Sequence, residues 1–248
     1  MSRYTYEVCV FTIDDAIAAE RGGARRIELN SDRAAGGCTP SAGAVRMAKK
    51  LLKLDVAVMI RPRTGGFVYS DNDFAVMLED VDIAVASGAD AIVTGMLTPD
   101  SGLDAARLSQ LVKRAGDVPV AYHLAYERIA PEKKDDALEE LISIGVRRLL
   151  TGGRPRTYDE AVRYLSRMQE RAAGRIELMP CEMEAVPYSL LPRYMRETGA
   201  EQIHLWDVMS KYAVGTYPHT YDHVDLLEMV DEEKVRSRIE LLERGDRL

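Results

Sequence analysis

The chain has 248 residues, 46% of them hydrophobic, enough to bury a large core as one α/β barrel or as two smaller domains. Its 33 Lys and Arg are outweighed by 40 Asp and Glu, and the longest basic clusters are Arg25-Arg26 and Arg147-Arg148, so no nucleic-acid partner is expected. No apolar run is long enough to span a membrane, the N-terminus lacks a signal-peptide core, and Cys9, Cys38 and Cys181 include no Cys-x-x-Cys pair.

A cytoplasmic protein with reduced thiols and no membrane partner is therefore expected. Along the chain an apolar, β-rich run followed by an amphipathic helix pattern recurs. Strands are predicted at Tyr6–Phe11, Arg26–Asn30, Val56–Arg61, Ala91–Gly95, Val118–His123, Arg148–Gly152, Ile176–Cys181 and Gln202–Trp206. Helices are predicted at Ile13–Arg21, Ala42–Leu52, Asp73–Ser87, Asp104–Ala115, Lys133–Ile144, Tyr158–Ala172, Tyr188–Thr198 and Asp231–Arg244. Gly-Ala or Gly-Val turns close several of these units, which is what a left-handed helix stop needs. Eight successive units predict a closed (β/α)8 TIM barrel of parallel strands spanning 1–248 as one domain. An open doubly wound sheet is disfavoured, because Phe11 runs into Thr12-Ile13-Asp14 with no glycine-rich dinucleotide turn.

Strand alternation then sorts the side chains, with the apolar phase facing the helices. The opposite phase carries Glu7, Cys9, Glu28, Asn30, Met59, Arg61, Thr94, His123, Thr151, Glu177, Met179, Cys181, His204 and Trp206. A structural barrel core would hold Val, Ile and Leu, so this polar ring points to a site at the C-terminal ends of the strands. Glu28 and His123 suit general acid/base chemistry, with His204 as a further catalytic candidate. Arg61 and Arg63, two apart around Pro62, are expected to hold an anion. Thr94 and the Thr151-Gly152 turn are further substrate-binding candidates, the latter as an amide cradle. The implied partner is a small anionic ligand.

Three other stretches carry weaker signals. Gly36–Ser41 reads as a loop entering a helix, with Thr39 as cap and Pro40 at the first helical position. Asp207–His223 reads as a long irregular loop, a lid or an oligomer contact, and a homo-oligomer is expected. His219 and His223 have metal-like spacing if helical.

The segments Gly22–Ser41, Ile60–Val81, Gly88–Gly102, Ile144–Gly152 and the His123 strand end together resemble the CutC family, over roughly the first 155 residues. The resemblance implies a cytoplasmic TIM-type barrel, described as copper-binding, and supports Glu28, Arg61, Arg63, Thr94, His123 and His204 as site positions. Copper is accordingly a possible cofactor, with Cys9 and Cys181 as soft donors near the mouth and Met179 and Met183 beside them. This chain departs from the family pattern at His123-Leu124-Ala125-Tyr126-Glu127, where members tend to read His-Arg-Ala-Phe-Asp. It departs again at Met179-Pro180-Cys181-Glu182-Met183, where a glycine-rich turn is usual.

Overall fold

The computed structural model describes residues 3–213 and 226–245. Eight parallel strands form one sheet: β1 (Thr5–Val10), β2 (Arg26–Leu29), β3 (Asp55–Met59), β4 (Ala91–Thr94), β5 (Val120–Tyr122), β6 (Arg148–Leu150), β7 (Glu177–Met179) and β8 (Gln202–Leu205). Each pairs with its sequence neighbour, β1 also pairs with β8, and a bridge between Cys181 and His204 closes the ring. The closing bonds run from His204 N to Pro180 O, 2.9 Å, and from Glu182 N to His204 O, 3.2 Å. Every strand expected from the sequence is present, making the fold a TIM barrel. The ladders end one or two residues early, because the residues at the mouth leave the sheet to build the site.

The helices follow the same logic. They are α1 (Ile13–Gly22), α2 (Ala42–Leu51), α3 (Asp71–Ala86), α4 (Ala105–Ala115), α5 (Lys134–Ile144), α6 (Tyr158–Ala172), α7 (Leu191–Thr198) and α8 (Glu232–Gly245). Thr12 and Ser70 cap α1 and α3 through reciprocal capping boxes with Asp15 and Asp73, satisfying backbone donors that a helix start leaves open. The helix after β2 is capped by Ser41, not Thr39, so Pro40 lies before the helix and not in its first turn. Gly145 stops α5 with a φ of 92°, a left-handed conformation that costs any other residue strain.

The stretch after β8 is not irregular throughout. Met209–Ala213 is a strand, β9, paired antiparallel with β10 (Leu226–Val230). This hairpin is tied to the barrel where Asp15 Oδ1 accepts from Val230 N at 2.8 Å. Pro218, His219 and His223 lie outside the described residues.

Apolar burial is split in two. The larger cluster fills the layer between barrel and helices, with Val8, Ile27, Val58, Ile92, Tyr122, Leu149 and Ile203 facing outward. Inside the barrel a small cluster of Ala57, Met59, Ala91, Val93 and Ala121 occupies only the β3–β5 side. The remaining interior is polar and charged. Glu7 pairs with Arg26 and accepts from His204 Nδ1 at 2.8 Å. Arg26 and Arg148 both donate to Gln202 Oε1, at 2.7 and 2.8 Å, and Gln202 donates to Glu177 at 2.7 Å. Buried charges survive only when so paired, and removing one partner leaves the other desolvated. Arg26→Ala is therefore expected to lower unfolding free energy by about 3–5 kcal/mol in urea titrations. Arg147→Ala, whose side chain is 65% exposed beside Glu177, should cost under about 1 kcal/mol; equal losses would deny the interior pair its structural role.

Candidate functional site

The C-terminal strand ends open on a cavity of about 450 Å³. Its walls are apolar at Met59, Phe67, Leu150 and Trp206, and polar at Cys9, Glu28, Arg61, His123 and His204. A largely apolar pocket with a few convergent polar groups is what holds a small ligand in one orientation.

Glu28 lies at the centre of the polar side. Asn30 Nδ2 donates to its Oε2 at 3.0 Å, and Cys9 Sγ stands 3.7 Å from the same oxygen. Burial raises the Glu28 carboxyl above its ordinary value and the nearby Glu7 carboxylate adds to this, against the pull of His204 and Asn30. Burial would push the His204 ring down, but Glu28 and Glu7 outweigh it and hold the imidazole above its usual value. Glu7 itself is held well below the carboxylate range, since Arg26 and His204 more than offset its burial. Burial pushes the Cys9 thiol up, with Glu28 and Glu7 reinforcing it. The Sγ of Cys9, a carboxylate oxygen of Glu28 and a ring nitrogen of His204 lie within 4.8 Å of one another.

His123 is set differently. It caps the short 3-10 turn Leu124–Arg128, its Nδ1 accepting from Ala125 N at 3.0 Å. The ring proton is therefore on Nε2, which is buried and has no partner among the described residues. Burial, reinforced by Arg61, lowers the ring to about 3, so it is neutral at ordinary pH and donates through Nε2–H. Phe67 packs 4.9 Å from this ring, and a Cβ on Gly95 would strike its Cε1 at 2.2 Å. Only glycine at 95 leaves His123 its place.

The two arginines part company. Arg61 is buried at the wall, with Nη1 donating to Ala35 O and Gly37 O, at 2.8 and 2.6 Å, and Nη2 to Gly65 O at 2.8 Å. Much of its hydrogen-bonding capacity thus fixes loops, while its charge remains at the cavity. Arg63 is not beside it: the chain leaves the ladder at Pro62, alternation ends, and Arg63 turns outward to Asp73 at 2.9 Å over the ring of Tyr69.

Thr94 and Thr151 stand in the opposite phase from the expected one. Val93 and Leu150 face the barrel interior instead, Thr94 Oγ1 donates to Ile60 O at 3.1 Å, and Thr151 turns toward Glu127 and Tyr164. Ala91-Ile92-Val93 and Leu149-Leu150 are apolar on both faces, and such strands carry no period to read. The amide cradle at Thr151-Gly152 exists, but it holds the protein's own carboxylate. Glu127 Oε1 accepts from Thr151 Oγ1, Gly152 N and Gly153 N at 2.6, 3.1 and 3.0 Å, and Lys134 Nζ bonds its other oxygen at 2.7 Å. Cys181 lines a separate cavity of about 290 Å³ with Gly152 and Met183, apart from Cys9.

Arg26, Arg148 and Gln202 are inward residues not expected from the sequence, although they precede Glu28, Leu150 and His204 by two residues and share their faces. Phe67, also in the cavity wall, lies in a glycine loop with no periodicity to mark it. The depressed His123 ring has a measurable consequence. Its folded value lies below the ordinary 6.5, so between about pH 6.5 and 3 the unfolded chain binds more protons and stability is lost as the pH is lowered. Unfolding free energy plotted over that window should slope less steeply for His123→Gln than for the wild type; parallel slopes would mean that the ring titrates normally.

Comparison with known proteins places this architecture. The CutC family model matches residues 4–208, the barrel from β1 through β8. A family protein CutC of Treponema denticola is 39% identical over 204 residues, covering 82% of this chain and 81% of that protein. The human copper homeostasis protein cutC homolog is 38% identical over 201 residues, covering 81% and 72%. The crystal structure of the candidate copper homeostasis protein CutC from Streptococcus agalactiae superposes with a TM-score of 0.75 at 31% identity, covering 82% of this chain and 98% of that one. Family model, identity and barrel geometry agree, and the chain belongs to the CutC family.

Proposed function

We propose that this CutC-family barrel binds a small anionic metabolite at its mouth and moves a proton on it. The observation that carries this reading is the buried, unpartnered Nε2–H of His123 in the wall of a cavity that also holds Glu28. An N–H left unpaired in a buried wall has a use for a ligand oxygen, since desolvating it otherwise costs free energy. Glu28, raised by burial, is suited to exchange a proton nearer neutral pH than a solvated carboxylate is. Arg61 contributes positive charge beside His123, and His204, whose proton Glu28 and Glu7 hold more tightly than burial loosens it, is a second donor. The roles divide accordingly: Glu28 exchanges the proton, and His123 and His204 polarise or stabilise oxygen on the ligand. Isomerisation or elimination fits these groups better than hydrolysis through a nucleophile, because the thiol beside a histidine, Cys9 near His204, is pushed up by burial and away from the thiolate that a nucleophile needs.

Small carboxylic and phosphorylated acids screened by thermal shift should include some that raise the melting temperature of the wild type. In D2O such an acid should exchange a C–H for deuterium, followed by NMR. Glu28→Gln should bind and lose exchange by about 10²-fold or more, while His123→Ala should lose binding. Wild-type exchange in Glu28→Gln, or the same ligand shifts in all three proteins, would sink the reading.

The cluster of Cys9, Glu28 and His204 favours a second reading, a copper(I) site. Thiolate and imidazole suit that ion, and these three residues would hold it. A pair of thiols does not assemble, since Cys181 opens on its own cavity. In competition with a copper(I) chelator, Cys9→Ser should weaken binding by tenfold or more and Cys181→Ser should leave it unchanged. Retention of affinity in Cys9→Ser would remove copper from this site.

A further inference from the structure

The mouth of the barrel carries two sets of backbone donors of the kind that hold a ligand phosphate, and the protein fills both with its own carboxylates. Barrels of this class commonly seat a phosphate on amides in the loops after their last strands. After β6 the amides of Gly152 and Gly153 and the hydroxyl of Thr151 converge on Glu127, whose other oxygen is paired with Lys134 at 2.7 Å. After β8 the amides of Trp206 and Asp207 converge on Oε2 of Glu182, at 2.9 and 2.8 Å, and Arg238 Nε stands 3.0 Å from its Oε1. Each carboxylate thus has its donors and its own cation.

Both cradles adjoin the main cavity. Leu124 lines that cavity and also the one of about 290 Å³ that holds Glu127, while Trp206 lines it and also a cavity of about 300 Å³ that holds Glu182. The two side cavities are walled by the acids Glu127, Glu182, Glu184 and Asp207 against one cation, Arg154. A phosphate reaching past Leu124 or Trp206 would therefore meet carboxylates already seated on the amides.

Within the main cavity most charges are answered. Glu7 is held between Arg26 and His204, Glu28 stands beside His204, and Arg33 pairs with Glu228. Arg61 differs: its hydrogen bonds go to the carbonyls of Ala35, Gly37 and Gly65, and no carboxylate pairs with it among the described residues. With the unpartnered Nε2–H of His123 in the same wall, this provides for one negative charge. A phosphate ester brings about one and a half to two. The rest of the wall is apolar, and Leu124 and Trp206, 40% and 51% exposed, carry that apolar surface out to the mouth.

We infer that the ligand is a monocarboxylic acid with an apolar body, its carboxylate held by Arg61 and His123, and that Glu127 and Glu182 exclude phosphate esters by occupying the amides that would bind them. The inference rests on the proposed binding of an anion at the mouth and narrows the class of that anion. It assigns to Glu127 and Glu182 a part in specificity, apart from the proton transfer.

Phenylacetate and phenyl phosphate, alike in body and different in headgroup, are the probes, with calorimetric titration as the readout. The wild type should bind phenylacetate with a millimolar or lower dissociation constant, and phenyl phosphate at least about tenfold more weakly. Inorganic phosphate should leave the melting temperature of the wild type unchanged and raise that of Glu182→Ala, in which the amides of Trp206 and Asp207 and the Arg238 guanidinium are released. The wild-type pair decides the question by itself should that variant fail to fold. Phenyl phosphate bound as tightly as phenylacetate, or phosphate protecting the wild type as much as Glu182→Ala, would overturn the assignment while leaving proton transfer on a phosphorylated acid open. Carboxylates that bind but exchange no C–H in D2O would leave the assignment standing and sink the proton transfer, and binding of neither probe would remove both.

Discussion

The constraint on which the rest of the structure depends is the burial of Glu7 inside the barrel. A lone carboxylate there would be too costly to keep ionised, and this one is held by Arg26 on one side and His204 on the other. The pairing joins β1 to β2 and β8, next to the place where the ring closes through a single bridge between β7 and β8. It also fixes the His204 ring through Nδ1, leaving its other edge on the side of Glu28 and Cys9. Structural and chemical demands therefore meet at one carboxylate.

The barrel interior divides into unlike halves. Small apolar residues on β3, β4 and β5 fill one side, while charged residues from β1, β2, β6, β7 and β8 fill the other. His123 and Arg61 reach the cavity from the apolar side, past β5 and β3, and the low affinity of His123 for a proton follows from that setting together with Arg61. Secondary ties brace the mouth around this division. Arg33 pairs with Glu228 on the β9–β10 hairpin. Buried Glu182 accepts from the backbone of Trp206 and Asp207 at 2.9 and 2.8 Å and pairs with Arg238 of α8.

Several groups that look like ligand-binding equipment are occupied within the protein. The amides after β6 cradle Glu127, and Arg61 spends much of its hydrogen-bonding capacity on loop carbonyls. This follows from the need to satisfy every buried polar group, since free amides in a buried cradle are costly without an acceptor and a buried carboxylate is costlier still without donors. What remains unsatisfied after that accounting, notably His123 Nε2, is a sharper guide to a ligand than residue type alone.

By itself the sequence determined the eight β/α units, their order, most helix boundaries and the inward phase of six strands. These rest on local physics: period-two alternation, capping residues and glycine stops act over a few residues and leave their mark in the chain. Glu28, His123, His204, Cys9 and Arg61 were legible as inward residues for that reason. Only the tertiary structure decided the phase of β4 and β6, because Ile92 beside Val93 and Leu149 beside Leu150 are equally apolar on both faces. It also decided that Arg63 leaves the site past Pro62, that Cys9 and Cys181 open on different cavities, and that Glu127 fills the amide cradle. Which of two adjacent apolar residues faces inward, and which buried charge answers which, are settled by contacts between residues distant in sequence, and no local pattern encodes those.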